Sequence, residues 1–442
     1  MIGKSRNIAR GRRTFLKKAA AATIGTIGFP LFIPSTALGR LGAVPPSDRI
    51  AIGCIGVGGM GMSNLNSFLG KPDAEIVAIC DVDRNHREKA RATIQEKSGK
   101  KGCVSYNDFR ELIARDDLEA VSIATPDHWH ALIAIAAAKK GLDIYCEKPV
   151  SYSIAEGRAM ADAVGRYGVI FQTGSWQRSV RNFRYACELV RNGRIGKVHT
   201  VRVGLPYGLS IADQGGNQIA PVPQGFDYDL WLGPAPFVPY VPNRCHYNFR
   251  WNTDYSGGHI TDWGAHHCDI AQWGMGTEHT GPVAVEGTAT FPNGEEGLFN
   301  TPTSFRFLCT YNEGFTLIVA DERQQPKGMG VQFEGTEGWL WIDRSGLDAS
   351  NKSVLKSVIR SNEIHLMKSI DHHQNFLDCI RTRSATITPA ELAHRSITVC
   401  HLGSIALRLG RKVSWDPQRE QFVNDPEAQR LLSRPMRSPW SI

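Results

Sequence analysis

The chain has 442 residues, enough for two or three domains with a large core, and its 42% apolar and 21% charged content reads as an ordinary soluble globular protein. A net charge of +8 invites a nucleic-acid reading, but the distribution excludes it. Residues 1–40 hold eight basic and no acidic residues; taking those eight from 51 leaves 43 against 43 acidic residues, so the body of the chain is neutral.

In chain order, Gly11-Arg12-Arg13-Thr14-Phe15-Leu16-Lys17-Lys18 resembles a twin-arginine export signal. A mildly apolar run, Ala19 to Ile33, follows, with small residues at Ser35, Ala37 and Gly39 that offer a cleavage site. Residues 1–40 are therefore read as a signal segment, and a periplasmic or otherwise exported location is expected. No later stretch reaches membrane-spanning length, so no stable membrane insertion is expected once the signal is removed. Residues 41–48 read as a linker.

From Arg49 an apolar run, Ile50 to Ile55, leads straight into Gly56-Val57-Gly58-Gly59-Met60-Gly61, a G-x-G-x-x-G pattern. In a dinucleotide site Gly56 makes the tight turn and Gly58 lets the backbone approach a pyrophosphate. Gly61 lets the next helix pack close, with its N-terminal N–H groups toward the phosphates. A second apolar run ends at Asp81, twenty residues after Gly61, where an acid binding the ribose 2′-hydroxyl belongs. Helices are expected at Asn64 to Leu69, Arg84 to Lys97, from Asn107, His130 to Lys140 and Ile154 to Tyr167. Strands are expected at Ala120 to Ala124, Asp143 to Cys146 and Val169 to Gln172. This alternation predicts a doubly wound parallel sheet over residues 49–173.

After Gly174 the pattern changes. A helix, Phe183 to Asn192, and a strand, Val198 to Val203, precede a long irregular stretch from Gly204 to Tyr255. Gly257 to Trp273 reads as a helix. Strand-like runs follow at Val283 to Phe291, Ser304 to Tyr311, Phe315 to Asp321 and Met329 to Asp343. Helices at Asp371 to Arg381 and Glu391 to Leu409 close the pattern. Residues 174–410 are thus expected to form an α+β domain with a large open, mainly antiparallel sheet, and residues 411–442 an extended tail. Ten cysteines carry no C-x-x-C pair, and buried free thiols are the default reading.

Two places could carry chemistry. Lys148 follows the carboxyl end of a predicted strand, with Glu147 beside it to hold the ammonium and Pro149 to stiffen the turn. Asp262 and His266, at i and i+4, share a helix face behind Gly257-Gly258, and a carboxylate beside an imidazole suits proton transfer from an alcohol. Asp269 continues that face as an orienting group for His266. His128, His130, His246, His259, His267, His372 and His373 tempt a metal reading, but no spacing completes a zinc template, so no metal is assigned. Trp176, Trp231, Trp251, Trp263 and Trp273 suit sugar rings or core packing equally well.

These motifs, with Thr125-Pro126-Asp127-His128-Trp129-His130, Glu147-Lys148-Pro149 and Asp262-x-x-x-His266 in order, resemble the Gfo/Idh/MocA family of glucose–fructose oxidoreductases and inositol dehydrogenases over about residues 49–410. Leu230-Trp231-Leu232-Gly233-Pro234-Ala235-Pro236 and Trp415-Asp416-Pro417 resemble an exported bacterial branch. The resemblance implies a Rossmann domain joined to an α/β domain that often mediates homo-oligomers through its open sheet. It implies Lys148 near the nicotinamide, His266 accepting the alcohol proton and Asp262 positioning substrate and Lys148. Gly56, Gly58, Gly59, Met60, Gly61, Asp81, Thr125, Pro126, His130, Glu147 and Lys148 would bind the cofactor. Asp81 favours NAD over NADP, although Arg84 could accept a phosphate. Gln177, Arg178 and parts of the long loop are expected in the substrate pocket.

The expected activity is an exported NAD(H)-dependent oxidoreductase acting on a ring hydroxyl of a sugar, glycoside or cyclitol, with a tightly held cofactor. One alternative is redox-neutral glycoside cleavage through transient oxidation and elimination. Another is a non-catalytic carbohydrate-binding protein.

Overall fold

A computed structural model describes residues 44–99, 102–213, 215–292 and 297–442. The expected export signal lies outside these residues. Pro46–Asp48 make a single 3-10 turn, and Ile50–Ile442 make one unit built on two sheets.

The first sheet has six strands: β1 Ile50–Ile55, β2 Ala74–Cys80, β3 Val104–Tyr106, β4 Ala120–Ile123, β5 Asp143–Cys146 and β6 Phe171–Thr173. Their order is β3-β2-β1-β4-β5-β6 and every pairing is parallel. β4 and β5 are buried at every position, as parallel strands covered on both faces require. The chain reverses its winding between β1 and β4. The crevice there, beyond the carboxyl ends of the strands, is where such sheets bind ligands. Helices Gly59–Leu69 and Asp127–Lys140 both start at this crevice. The second of these is buried along most of its length because other elements cover it on both sides.

The second sheet has nine strands: β7 Val198–Leu205, β8 Ala284–Thr290, β9 Ser304–Thr310, β10 Thr316–Asp321, β11 Gly330–Gly335, β12 Gly338–Ile342, β13 Leu347–Ala349, β14 Val413–Asp416 and β15 Gln421–Phe422. Of its pairings only β7 with β10 is parallel. Helices Arg181–Arg191, Gly264–Met275 and Ala390–Leu409 pack on it, joining Phe183, Ile270 and Leu402 to Phe305, Phe307 and Phe333 in one core.

Three sequence expectations change. Met329 to Asp343 is a hairpin, turning at Thr336-Glu337, because β11 and β12 pair antiparallel. The helix from Gly257 is two helices, His259–Asp262 and Gly264–Met275, meeting at Trp263. Residues 411–442 are no loose tail: Val413 and Trp415 alternate inward, so β14 joins the sheet, and Pro426–Arg430 is helical.

The long segment after β7 has its own small core around Phe226, Trp231, Phe249 and Tyr255. It is fixed to the first domain by Asp227 N–H to Val82 O (3.0 Å), Arg84 N–H to Gly225 O (2.9 Å) and Trp129 Nε1–H to Trp231 O (3.1 Å). Residues near the C-terminus hold it from the other side. Arg437 Nε donates to Gly233 O (2.9 Å), and Trp440 packs edge-on against Trp129 at 4.6 Å.

Candidate active site

A cleft of about 460 Å³ opens at the crevice between β1 and β4. Gly56, Gly58, Gly59, Met60, Asp81, Thr125, Pro126, His130, Glu147 and Lys148 all line it. Gly61 sits just behind, and its backbone explains why: an added Cβ would lie 1.9 Å from Gly56 O. Gly56 itself has φ +78, and a Cβ there would lie 2.6 Å from Ala124 O. The glycines thus allow a bare backbone loop running into the N-terminus of helix Gly59–Leu69, a cradle suited to a pyrophosphate. Asp81 closes the other end. Its Oδ2 accepts the Val57 N–H (2.9 Å) and faces His86 Nδ1 (3.3 Å). Burial opposes its ionisation, but these hydrogen bonds outweigh burial and hold its pKa below the usual value. Arg84 does not line the cleft; its side chain packs by Gly225. The cradle and Asp81 together therefore fit a dinucleotide.

His130 is better read as a strut than as a ligand. Its ring spans Pro149 O (2.6 Å) and Thr125 O (2.8 Å), tying together the two turns at the cleft.

At the opposite end from Asp81, the Lys148 ammonium is bonded to Asp262 Oδ1 and lies 3.3 Å from the Asp262 carbonyl. Arg250, from the long segment, approaches the same carboxylate at 3.8 Å. Burial disfavours the Asp262 anion, yet the two cations prevail and keep its pKa low. His266 lies behind this pair, 4% exposed, and does not line the cleft itself. Burial and then the nearby Lys148 charge push its pKa well below the ordinary value, so it is neutral, with Nδ1 lacking a partner among the described residues. A neutral imidazole beside a lysine–carboxylate pair can accept a proton.

Other expectations are corrected. Glu147 does not hold the Lys148 ammonium; its carboxylate accepts from Asn64 Nδ2 (2.9 Å) and the Lys148 backbone N–H (3.3 Å). Asp269 does not orient His266. It is taken by Arg178 through two bonds of 2.7 Å and by Ser396 Oγ at 2.7 Å. Arg178 is accordingly 2% exposed, with its other partner Glu278 at 2.7 Å, and is not a pocket residue. The five tryptophans divide: Trp231, Trp251 and Trp273 are buried, whereas Trp176 and Trp263 flank His266 and stack on Arg344 at 4.6 and 4.3 Å.

Sequence reasoning missed Asp127, Arg250 and Arg344 near the Lys148–Asp262 pair, and named His259 only among the histidines of a metal reading. Asp127 lines the cleft, accepts from Ser256 Oγ (2.5 Å), and is pushed up to about 7 by burial. His259 is held down to about 4 by burial, and both its ring nitrogens lack partners among the described residues. Asp127 stood inside a quoted motif; Arg250 and Arg344 carry no local signal. Among the described residues one group has metal-like spacing, Asp83, His86 and His246, with donor atoms within 4.8 Å of one another. It joins the long segment to the first domain where Asp81 lies.

Family models agree with this layout. The oxidoreductase family model for an NAD-binding Rossmann fold matches residues 50–175, and that for the C-terminal alpha/beta domain matches residues 180–442. The chain belongs to the Gfo/Idh/MocA oxidoreductase family. It is 35% identical over 152 residues to myo-inositol 2-dehydrogenase of Thermotoga maritima, covering 34% of this chain and 44% of that protein. It is 31% identical over 169 residues to a glycosyl hydrolase family 109 protein of a Shewanella species, covering 35% and 37%. A levoglucosan dehydrogenase in complex with NADH and levoglucosan shares the fold, with a TM-score of 0.61 at 18% identity, over 83% of this chain and 99% of that one. The chain is thus an NAD-binding oxidoreductase acting on CH–OH groups. Among the described residues no helix is long and apolar enough to cross a membrane.

Proposed function

We propose an exported enzyme that oxidises a ring hydroxyl of a sugar, glycoside or cyclitol, with NAD(H) held through many turnovers. The observation that carries this reading is the meeting of Lys148 and Asp262 at one end of a cleft whose other end is the glycine cradle and Asp81, with the neutral His266 buried just behind that pair. When bound, the nicotinamide supplies hydride acceptance. The side chains do the rest. Lys148 and Asp262 orient the hydroxyl, His266 takes its proton, and the Lys148 charge beside His266 favours passing that proton on. Trp176 and Trp263 flank the His266 ring and hold its place.

Export rests on the Arg12-Arg13 segment. Retention of the cofactor is supported by the long segment, which supplies Trp231, His246, Tyr247, Phe249 and Arg250 to the cleft wall. NAD is preferred because the Asp81 carboxylate would repel a 2′-phosphate. Outside the cytoplasm such an enzyme needs a closed cycle, with one substrate oxidised and a second carbonyl compound reduced. Self-association through the half-exposed face of the second sheet, around Leu308, Trp339 and Trp341, completes the reading.

The similarity to a glycosyl hydrolase family 109 protein supports a second reading, redox-neutral glycoside cleavage at the same site. The test begins by purifying the chain from about residue 41, denaturing it and identifying released nucleotide by mass spectrometry. Stoichiometric NAD(H) is expected; NADP(H) would overturn the role given to Asp81, and failure to bind either would overturn the enzyme reading. Product analysis then separates the two chemistries: oxidised sugar plus reduced acceptor, or sugar plus aglycone. Size-exclusion chromatography with light scattering tests self-association; a monomer removes it.

A further inference from the structure

We propose that a second cavity, separate from the cofactor cleft, binds a small hydroxylated anion of the sugar-carboxylate class. This cavity, about 320 Å³, lies between helix Ala390–Leu409, the start of helix Ile154–Tyr167, residues 253–261, residues 431–434 and a wall that includes Phe291, Asn300 and Pro302. Its volume falls at the lower end of small-molecule sites and suits a single sugar ring.

The lining is chemically one-sided. Among the described residues it includes two guanidinium groups, Arg408 and Arg434, and no carboxylate. Arg434 is fixed in place: its Nε donates to Glu156 Oε1 (2.8 Å), its Nη2 to His128 O (2.9 Å), and it stacks on Tyr152 at 3.9 Å. Glu156 offsets that charge, which leaves Arg408 as the cation for an incoming anion, a task for which a guanidinium is suited. Hydroxyl groups supply much of the remaining polarity, among them Ser153, Thr261, Ser404 and Ser433. His401 and Ser404 sit one turn apart on the same helix. His401 is 7% exposed, and both its Nε2 and the Ser404 Oγ lack hydrogen-bond partners among the described residues. Burial pushes the His401 pKa down to about 4, so at neutral pH it offers a dipole to a hydroxyl rather than a charge. Buried polar atoms of this kind are costly unless something completes them.

One wall serves both cavities. Ser256 lines the second cavity and donates to Asp127, which lines the cofactor cleft. Thr261, beside Asp262, also lines the second cavity and accepts the Gly257 N–H at 3.1 Å. An occupant there would touch Ser256, the hydroxyl bonded to the Asp127 carboxyl group.

The test is direct binding, independent of turnover. D-glucuronate and D-gluconate are titrated into the full folded chain by calorimetry and saturation-transfer NMR, beside glucose and inorganic phosphate. Saturable 1:1 binding of a sugar carboxylate is expected. It should be at least tenfold tighter than glucose, lost at least tenfold in Arg408→Met and Ser404→Leu, and kept in Lys148→Met. Arg408 is exposed, so its variant remains informative if Ser404→Leu fails to fold. No saturable binding, binding unchanged in Arg408→Met, or binding lost in Lys148→Met would overturn the proposal. Phosphate binding through Arg408 without sugar-carboxylate binding would overturn the ligand class.

Discussion

Asp262 and Asp269 lie seven residues apart on neighbouring helices, and each meets a cation from earlier in the chain, Lys148 and Arg178; they do opposite work. The Asp262–Lys148 pair is 15% and 16% exposed, opens onto the cleft, and has Arg250 nearby. The Asp269–Arg178 pair is 4% and 2% exposed and closed by Glu278 and Ser396. A charge with spare hydrogen-bonding capacity can serve a reaction. One whose capacity is filled serves the fold.

The largest effect that would test this contrast is at Lys148. Lys148→Met should lower turnover on the order of 10³-fold, within the range expected for loss of a proton-handling group, while bound nucleotide and melting temperature stay near wild type; steady-state kinetics and nucleotide stoichiometry check it. Asp269→Ala should do the reverse. Leaving Arg178 buried without its main partner should cost about 3–5 kcal/mol in a denaturant melt, with activity per folded molecule preserved; strong inactivation of folded protein would show that the closed pair acts in the reaction after all. Asp81→Ala should shift the ratio of NAD to NADP affinity toward NADP by roughly tenfold, about 1.4 kcal/mol, measured by nucleotide titration.

A further effect is a pH slope. Folding raises the Asp127 pKa from its ordinary 3.8 to about 7 through burial. The folded state therefore holds more protons than the unfolded state between these values, so this group's contribution to stability falls as pH rises through that window. Asp127→Asn should flatten the melting temperature against pH between 4 and 7. An unchanged slope would remove Asp127 as its source.

The first domain was largely legible because its motifs are local. Gly56 to Gly61, Asp81 and Glu147-Lys148 each announce a turn or a strand end, and the sheet brings those ends to one crevice. What failed was long-range. Nothing near Arg178 signals that Asp269 and Glu278, about a hundred residues on, will enclose it. Glu147 adjoins Lys148 in sequence, yet the β5 geometry turns it toward Asn64. Arg250 and Arg344 reach the site through a loop and a strand end that no periodicity marks.

The strap formed by Arg437 and Trp440 has a consequence for synthesis. The cradle and its acid are translated by residue 81, but the wall opposite is fixed by contacts with residues 437 and 440. During translation the first-domain residues that line the crevice, Gly56 to Lys148, are therefore made well before Arg437 and Trp440. The wall opposite the cradle is thus the last part of the site that synthesis completes.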